Sequence, residues 1–238
     1  MKKYFIGINL ICIFFVGSVF SIGEGAFTTL HVKAKDVEKY VELMKNNTTP
    51  FEVIGSDIAG VCVTKSGNQY PGEMFVWNAF PSIEKAMEAS EKYDPFQASD
   101  EFKKIRKVQY SVTWKPLKDF KLEPGYERLW RLKLNDWRSY AAKMTEMEAA
   151  IRARGFNMNI GLFTPLGGGT EVFHLRAVAP TGGEQGRIID DYFAGAEWSK
   201  IWDESLQYVD EEVSDTIEVC ETIYTKSYRR NNVKKNSL

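Results

Sequence analysis

The sequence predicts an α+β fold in which two β-α-β-β-α-β units follow one another and close into one barrel. One observation is that the alternating stretch 73–79 recurs in kind at 171–177, each copy following a Gly-containing turn and ending near a proline. A second is that the strand and helix of 27–44 return later in the chain. Four residues of the first copy match the second at a single offset: Lys33 with Lys133, Asp36 with Asp136, Tyr40 with Tyr140 and Met44 with Met144.

Each unit begins with an alternating strand, at 27–34 and at 129–134. Asp36 and Asp136 are expected to cap the helix that follows, because an aspartate side chain accepts hydrogen bonds from the first free amides of a helix. The remaining elements are two strands, a helical region and a last strand. We predict them at 58–64, 73–79, 82–93 with 99–107, and 109–115 in the first unit, and at 158–164, 171–177, 184–192 with 196–209, and 217–225 in the second.

This element order is that of the ferredoxin-like split β-α-β unit, written twice. Both helices of such a unit cover one face of its sheet, so the bare faces of two units should be buried against each other. The domains are then a first repeat at 26–116, a linker at 117–125, a second repeat at 126–225 and a basic disordered tail at 226–238. Because the repeats supply both halves of the barrel, no homo-oligomer is required.

The first residues have the pattern of an export signal. Lys2 and Lys3 precede the apolar run 4–20, and small residues suited to cleavage follow it. We therefore predict a signal peptide at 1–25 and an exported protein, periplasmic or secreted, without stable membrane insertion after cleavage; an uncleaved anchor is the alternative. The formal net charge is -1, but the leader and tail are basic, so the body between them is acidic. An acidic body argues against a nucleic-acid partner.

Three segments of the first repeat resemble a known family. They are Phe75-Val-Trp77, Ser82-Ile-Glu84 and Asp100-Glu-Phe102-Lys103, and they resemble the antibiotic-biosynthesis monooxygenase and NIPSNAP-like members of the dimeric α/β barrel superfamily. The resemblance implies cofactor-independent oxidation of aromatic substrates, with haem binding or degradation in some members. Haem-degrading relatives carry a histidine where this chain has Arg106, and an asparagine on the first strand that is absent here. We therefore expect no cofactor.

Strand alternation separates residues that face the helices from those that face the barrel interior. We expect apolar residues of the first strands, together with Phe75 and Trp77 on the third, to face the helices. The opposite set should point inward: His31, Lys33, Asn78, Arg131, Lys133, His174 and Arg176. Buried cations need partners, so the interior should hold water, acidic residues such as Glu218 or Glu221, or an anionic ligand. The two histidines could exchange protons near neutral pH.

These residues, with Trp77, form the predicted ligand site; catalytic residues cannot be assigned. The main hypothesis is an exported barrel that binds a small polar or anionic ligand in its interior. One alternative is a cofactor-independent monooxygenase acting on an aromatic substrate, with Trp77 and a histidine lining the pocket. The other is a non-catalytic scaffold whose interior charges are merely paired with one another.

The cysteines and one acidic run lead to three further expectations. Export would leave Cys62 and Cys220, for which buried free thiols are the default and a bridge between neighbouring strands is the alternative. Neither cysteine has metal-type spacing, so no metal site is predicted. The acidic run 210–215 is interpreted as a solvated helix end.

Overall fold

A computed structural model describes residues 23–226 of the 238-residue chain. The predicted signal peptide, apart from residues 23–25, and the predicted tail, apart from Lys226, lie outside the described residues. Within 23–226, no helix has the length and apolar character needed to cross a membrane.

Eight antiparallel strands form a closed barrel, as the sequence predicts. They are β1 (Ala26–Ala34), β2 (Ile58–Ser66), β3 (Glu73–Phe80), β4 (Arg106–Pro116), β5 (Gly125–Leu134), β6 (Asn159–Leu166), β7 (Phe173–Ala179) and β8 (Val209–Thr225). The strand order is β1-β3-β2-β8-β5-β7-β6-β4, closing back on β1. Each half thus has the order of a ferredoxin-like sheet, and the halves join through β2 with β8 and β4 with β6. That the halves are copies of one unit stays a prediction.

Seven α-helices accompany the strands in the described part of the chain. They are α1 (Val37–Asn46), α2 (Thr49–Ile54), α3 (Ile83–Lys92), α4 (Asp100–Ile105), α5 (Trp137–Ala153), α6 (Gly182–Phe193) and α7 (Ser199–Ser205). The predicted caps are present: Asp36 accepts a hydrogen bond from the amide of Lys39, and Asp136 from the amides of Arg138 and Ser139. Tyr40 and Tyr140, at matching places on α1 and α5, are both fully buried.

The last strand is longer than predicted and changes the interpretation of the acidic run. α7 ends at Ser205, and residues 209–225 are all in β8. The run 210–215 is therefore strand, not the end of a helix. Cross-strand ion pairs with β5 explain its composition: Glu211 pairs with Lys133 at 2.6 Å, and Asp215 pairs with Arg128.

The predicted faces of β3, the third strand of the first half, are wrong by one residue. His31 lies opposite Phe75, and Arg131 lies opposite His174. Directly opposed residues share a face of the sheet, so Phe75 and Trp77 point into the barrel interior and Asn78 points toward the helices. Phe75 is thus the counterpart of His174 rather than of Phe173. A shift of one residue moves a whole strand to the opposite face.

The linker between the halves closes one end of the barrel. Residues 117–124 run from the end of β4 to the start of β5, and Phe120 and Leu122 lie against interior side chains at that end. Lys118 holds the segment in place, because its ammonium donates to Glu148 at 2.6 Å and to the carbonyl of Asp119 at 3.0 Å.

Cys62 and Cys220 form a disulfide across the seam between the halves. They lie directly opposite each other on β2 and β8, which is why residues far apart in sequence can bridge. The expectation of free thiols is wrong, and the alternative of a bridge holds.

Gly60 on β2 leaves the space that the Trp77 ring occupies. A Cβ at Gly60 would lie 2.3 Å from that ring and 2.2 Å from the carbonyl oxygen of Glu221. We expect Gly60→Ala to lower the free energy of unfolding by about 1–3 kcal/mol through overpacking. Urea denaturation measures the change.

Gly186→Ala is the matched control, because a Cβ there meets nothing within 4 Å on helix α6. It should stabilise the protein by up to about 1 kcal/mol through helix propensity. Equal effects of the two substitutions would contradict the packing at Gly60.

Candidate functional site

The barrel interior contains a network of charged side chains centred on Glu171. Its carboxylate accepts hydrogen bonds from the Tyr110 hydroxyl at 2.6 Å and from Nε2 of His174 at 3.0 Å. Nε of Arg131 lies 3.3 Å from the same carboxylate. Burial favours the neutral form of Glu171, but the hydrogen bond from His174 and the charge of Arg131 outweigh it and hold the pKa of Glu171 well below its usual range.

A second charged group lies nearer the linker. Arg176 donates to Glu127, and its guanidinium lies 4.7 Å from the centre of the Phe75 ring. Glu218 is directly opposite Glu127. Its Oε2 is buried and has no hydrogen-bond partner among the described residues. Burial, followed by the charge of Glu127, raises the pKa of Glu218 to about 8.

Both histidines are neutral in this environment. Burial and the charge of Arg131 lower the pKa of His31 to about 3, and burial lowers that of His174 well below its usual value. His174 donates from Nε2 to Glu171 and faces Arg176 with Nδ1 at 3.4 Å, an arrangement that fits the neutral ring. Burial of both rings therefore disfavours the proton exchange near neutral pH that the sequence suggests.

The structure places the predicted site residues in three different environments. His31, Trp77, Arg131, His174 and Arg176 are inside the barrel. Lys33, two residues after His31 on the same strand, and Lys133 are exposed rather than enclosed in the interior, and Lys133 pairs with Glu211.

Asn78 points outward to the helices and lines a cavity there. Among the predicted acidic partners, Glu218 is inside the barrel. Glu221 instead pairs with Lys45 on the exposed side, at 2.7 Å.

The barrel interior has no evident place for an anionic ligand. Both buried arginines already have carboxylate partners, and the cavity at the linker end of the interior measures only about 50 Å³. A drug-sized ligand needs several hundred Å³. The ion-paired interior fits the structural alternative for these charges.

A larger cavity of about 510 Å³ lies between the outer face of the first half's sheet and its helices. We call it the helix-side cavity. Its walls are largely apolar and aromatic, with polar groups at a few points. The lining residues include Tyr40, Met44, Val76, Asn78, Tyr93 and Arg106.

Arg106 is the main charged group of the helix-side cavity. Its side chain is buried at 6% exposure, donates to the Tyr40 hydroxyl, and donates to the Tyr93 hydroxyl at 3.1 Å. Within residues 23–226, Arg106 forms no ion pair with a carboxylate. Asp94 also lines the cavity, but its carboxylate accepts from the amide of Phe96 at 2.9 Å and from the side chain of Gln97 at 3.0 Å.

Asn78 adds to the same cavity a buried polar atom, Oδ1, that has no hydrogen-bond partner among the described residues. Buried polar atoms without partners are uncommon in folded proteins and call for an explanation. A ligand that donates a hydrogen bond would supply one.

The second half has apolar residues at the matching places. Arg106 pairs with Ala34 as Val209 pairs with Leu134, and the corrected register makes Ala177 the counterpart of Asn78. Val209 and Ala177 belong to the apolar core packed around α5. Arg106 and Asn78 therefore have no polar counterparts at the matching places of the second half, Val209 and Ala177. In the sequence, Arg106 stands out only as the position where haem-degrading relatives carry a histidine. The apolar residue at the matching place in the second half, Val209, is the signal that distinguishes it.

No protein-family model and no curated protein matches this sequence. Solved structures do match. A candidate monooxygenase from Lactobacillus acidophilus NCFM superposes with a TM-score of 0.56 at 12% identity, over 84% of this chain and 95% of that one. A candidate chlorite dismutase, TA0507, has a TM-score of 0.53 at 11% identity, over 85% and 96%. The chain has the dimeric α/β barrel fold.

A haem-binding protein from Thermus thermophilus also has this fold, with a TM-score of 0.50 at 10% identity over 83% of this chain and 91% of that one. The residues here do not fit a histidine-ligated haem. The chain has two histidines, and both lie inside the barrel, at 3% and 0% exposure, rather than in the helix-side cavity. Arg106 cannot ligate iron.

The buried histidines predict a loss of stability in mild acid. A group with a depressed folded pKa contributes stability that is present above its unfolded pKa and is lost as the pH falls. For His31, we expect a loss of about 1.4 kcal/mol for each pH unit below about 6.5. The charged groups around it are Arg131, Glu171 and Arg176. Denaturant unfolding between pH 7 and pH 4.5 measures the slope.

His31→Gln should reduce the loss by about 1.4 kcal/mol per pH unit relative to the wild-type protein, since glutamine cannot be protonated in this range. His174, with its lowered pKa, and Glu218, whose raised pKa acts in the opposite direction, contribute equally to both proteins and cancel in the comparison. An identical slope in the wild-type protein and the variant would contradict the neutral buried imidazole. The interval stops at pH 4.5 because Glu171 contributes in the same direction at lower pH.

Proposed function

We propose that the helix-side cavity binds a largely aromatic molecule that carries one anionic group, a carboxylate or a phenolate. The observation that carries this proposal is the buried Arg106 guanidinium, which lines the cavity without an acidic partner among the described residues. Taking a charge out of water costs several kcal/mol unless it is paired. A bound anion would supply the missing partner, and the apolar walls would hold the ring system.

Tyr40 and Tyr93 extend the anion site. Each hydroxyl accepts from Arg106, so each keeps its own proton available to donate. Burial raises the pKa of Tyr40 to about 12, which keeps that hydroxyl protonated at neutral pH. Oδ1 of Asn78 would accept a hydrogen bond from a second polar group of the ligand. The ligand is thus held by donors at one point and an acceptor at another.

We propose further that the bound molecule is oxidised without a cofactor. The candidate monooxygenase among the structural neighbours supports this by analogy of fold, as does the resemblance of the first repeat to antibiotic-biosynthesis monooxygenases. Arg106 would stabilise a phenolate, the electron-rich form of such a substrate. In the overall reaction the substrate loses two hydrogens, one atom of O₂ enters the product as a carbonyl oxygen, and the other leaves as water.

The site differs from the one expected in the barrel interior. The proposed ligand is still anionic, as the sequence suggests. It would be bound by Arg106 and Asn78 on the helix side instead of by the cations of the barrel interior. The disulfide supports, as a further proposal, the export predicted from residues 1–25, because disulfides persist in oxidising compartments.

Arg106→Met tests the binding site. Loss of a charge-assisted hydrogen bond, worth about 1.5–3 kcal/mol, should weaken binding of a polycyclic aromatic carboxylate or phenol about 10- to 100-fold. Isothermal titration calorimetry measures the affinity, with the corresponding neutral amide or methyl ether as the matched ligand. The neutral analogues should bind the wild-type protein and Arg106→Met equally weakly.

Arg187→Met, which removes an exposed arginine on α6, is the control variant and should leave binding unchanged. Equal affinity of the wild-type protein for charged and neutral analogues would contradict the anion site. Oxidation is tested separately, by oxygen consumption with electron-rich phenols and by incorporation of label from ¹⁸O₂. Binding without oxygen uptake would overturn the proposed reaction and leave the binding site standing.

A further inference from the structure

Four side chains capable of binding a metal meet at the linker end of the barrel interior. They are Cys62, Glu127, Glu218 and Cys220, and one potential ligand atom from each lies within 4.8 Å of all the others. We call them the interior cluster. Strand pairing brings them together: Cys62 is opposite Cys220, and Glu127 is opposite Glu218, while Glu218 and Cys220 share one face of β8.

We propose that the interior cluster binds a divalent cation of the zinc type when the disulfide is reduced, so that the disulfide and the metal are alternative occupants of one site. Two thiolates and two carboxylates are a ligand set that suits zinc. This inference is independent of the function proposed for the helix-side cavity, and it extends the sequence analysis, which assigned no metal ligands because sequence spacing alone does not show them.

The distances agree with a four-coordinate site. Tetrahedral zinc holds sulfur at about 2.3 Å and carboxylate oxygen at about 2.0 Å, which places the two ligand atoms about 3.5 Å apart. Oε2 of Glu127 lies 3.6 Å from Sγ of Cys220. The other ligand atoms lie within 4.8 Å of one another, and reduction of the disulfide lets the two sulfurs separate.

Each carboxylate has one oxygen fixed by a neighbour. Oε1 of Glu127 accepts from Arg176, which leaves Oε2 toward the sulfur of Cys220. Oε1 of Glu218 accepts from the Thr216 hydroxyl at 3.3 Å, while its Oε2 is buried without a hydrogen-bond partner among the described residues. Side chains that orient metal ligands in this way are a regular feature of metal sites.

The charges around the site nearly balance. Two thiolates and two carboxylates exceed the charge of one divalent cation by two negative charges. Arg176 offsets one of these, and Arg131, which also acts electrostatically on Glu218, shares its charge with Glu171. Cys62, Glu127 and Cys220 line the cavity of about 50 Å³, which has room for an ion but not for an organic ligand.

The chemistry requires a reductant, which is either a dithiol or a phosphine. Two electrons and two protons convert the disulfide to two thiols. A dithiol supplies both and becomes a disulfide, whereas a phosphine supplies the electrons and becomes a phosphine oxide, with its oxygen and the two protons coming from water. Metal binding then releases the thiol protons as the sulfurs become thiolates.

The experiment uses the full chain with Cys12→Ser, so that Cys62 and Cys220 are the only thiols. The protein is reduced with a phosphine, which is then removed under argon. Zn²⁺ is titrated by calorimetry, and Co²⁺ is used as a spectroscopic substitute. We expect one Zn²⁺ per reduced chain, a sulfur-to-cobalt charge-transfer band, and a rise in melting temperature with Zn²⁺ for the reduced protein but not for the oxidised one.

Glu218→Gln should weaken Zn²⁺ binding at least about tenfold, and Cys62→Ser should abolish the charge-transfer band. Glu221→Gln is the matched control, because Glu221 is on the same strand but pairs with Lys45 outside the barrel. The Zn²⁺ affinity of this variant should equal that of the parent protein. If Cys62→Ser fails to fold, Glu218→Gln, which can still form the disulfide, decides the question. Absence of stoichiometric binding by the folded reduced protein, or equal affinity of Glu218→Gln and the parent, would overturn the proposal.

Discussion

Closing the sheet places two arginines where water has little access, and the interior is arranged around their neutralisation. Arg131 pairs with Glu171 and Arg176 pairs with Glu127. An unpaired ion in such a place would cost several kcal/mol, so these acids are as much a requirement of the fold as the apolar core. Neutral histidines and aromatic rings fill the remaining space, with Trp114 and His174 in contact at 3.9 Å between ring centres.

The two halves have the same order of strands but differ in how the space between sheet and helices is filled. In the second half, the space between sheet and helices is filled by a continuous apolar cluster that includes Val209 and Ala177. In the first half, Arg106 and Asn78 occupy the matching places beside an open cavity. Filling such space with apolar side chains normally stabilises a protein. A cavity with a buried charge and an unpartnered amide is therefore a cost to stability, of the kind that binding sites tend to carry.

Periodicity was sufficient to predict the barrel, because strand and helix patterns depend on neighbours in sequence. The caps Asp36 and Asp136 and the inward positions of His31 and Arg131 follow from the same local rules. Register does not: matching Phe75 to Phe173 was reasonable by residue type, yet hydrogen bonding to β1 and β5 makes Phe75 the counterpart of His174. That one-residue error placed Asn78 inside the barrel.

The partners of individual charges were equally beyond the sequence. Glu171 and Glu127 reach the interior arginines only after the strands have paired, and Glu221 was as plausible a partner as Glu218 until alternation along β8 separated them. Arg106 had no distinguishing neighbour in sequence, since Tyr40 and Tyr93 come from other elements. A site assembled from distant segments leaves no compact motif to find.

The bridge between Cys62 and Cys220 also has a topological consequence. It ties β2 of one half to β8 of the other, while residues 117–124 form the peptide connection between those halves. Two independent covalent routes thus join the halves. A single proteolytic cut within 117–124 would leave the particle in one piece on a non-reducing gel, and the two fragments would migrate separately once a thiol is added.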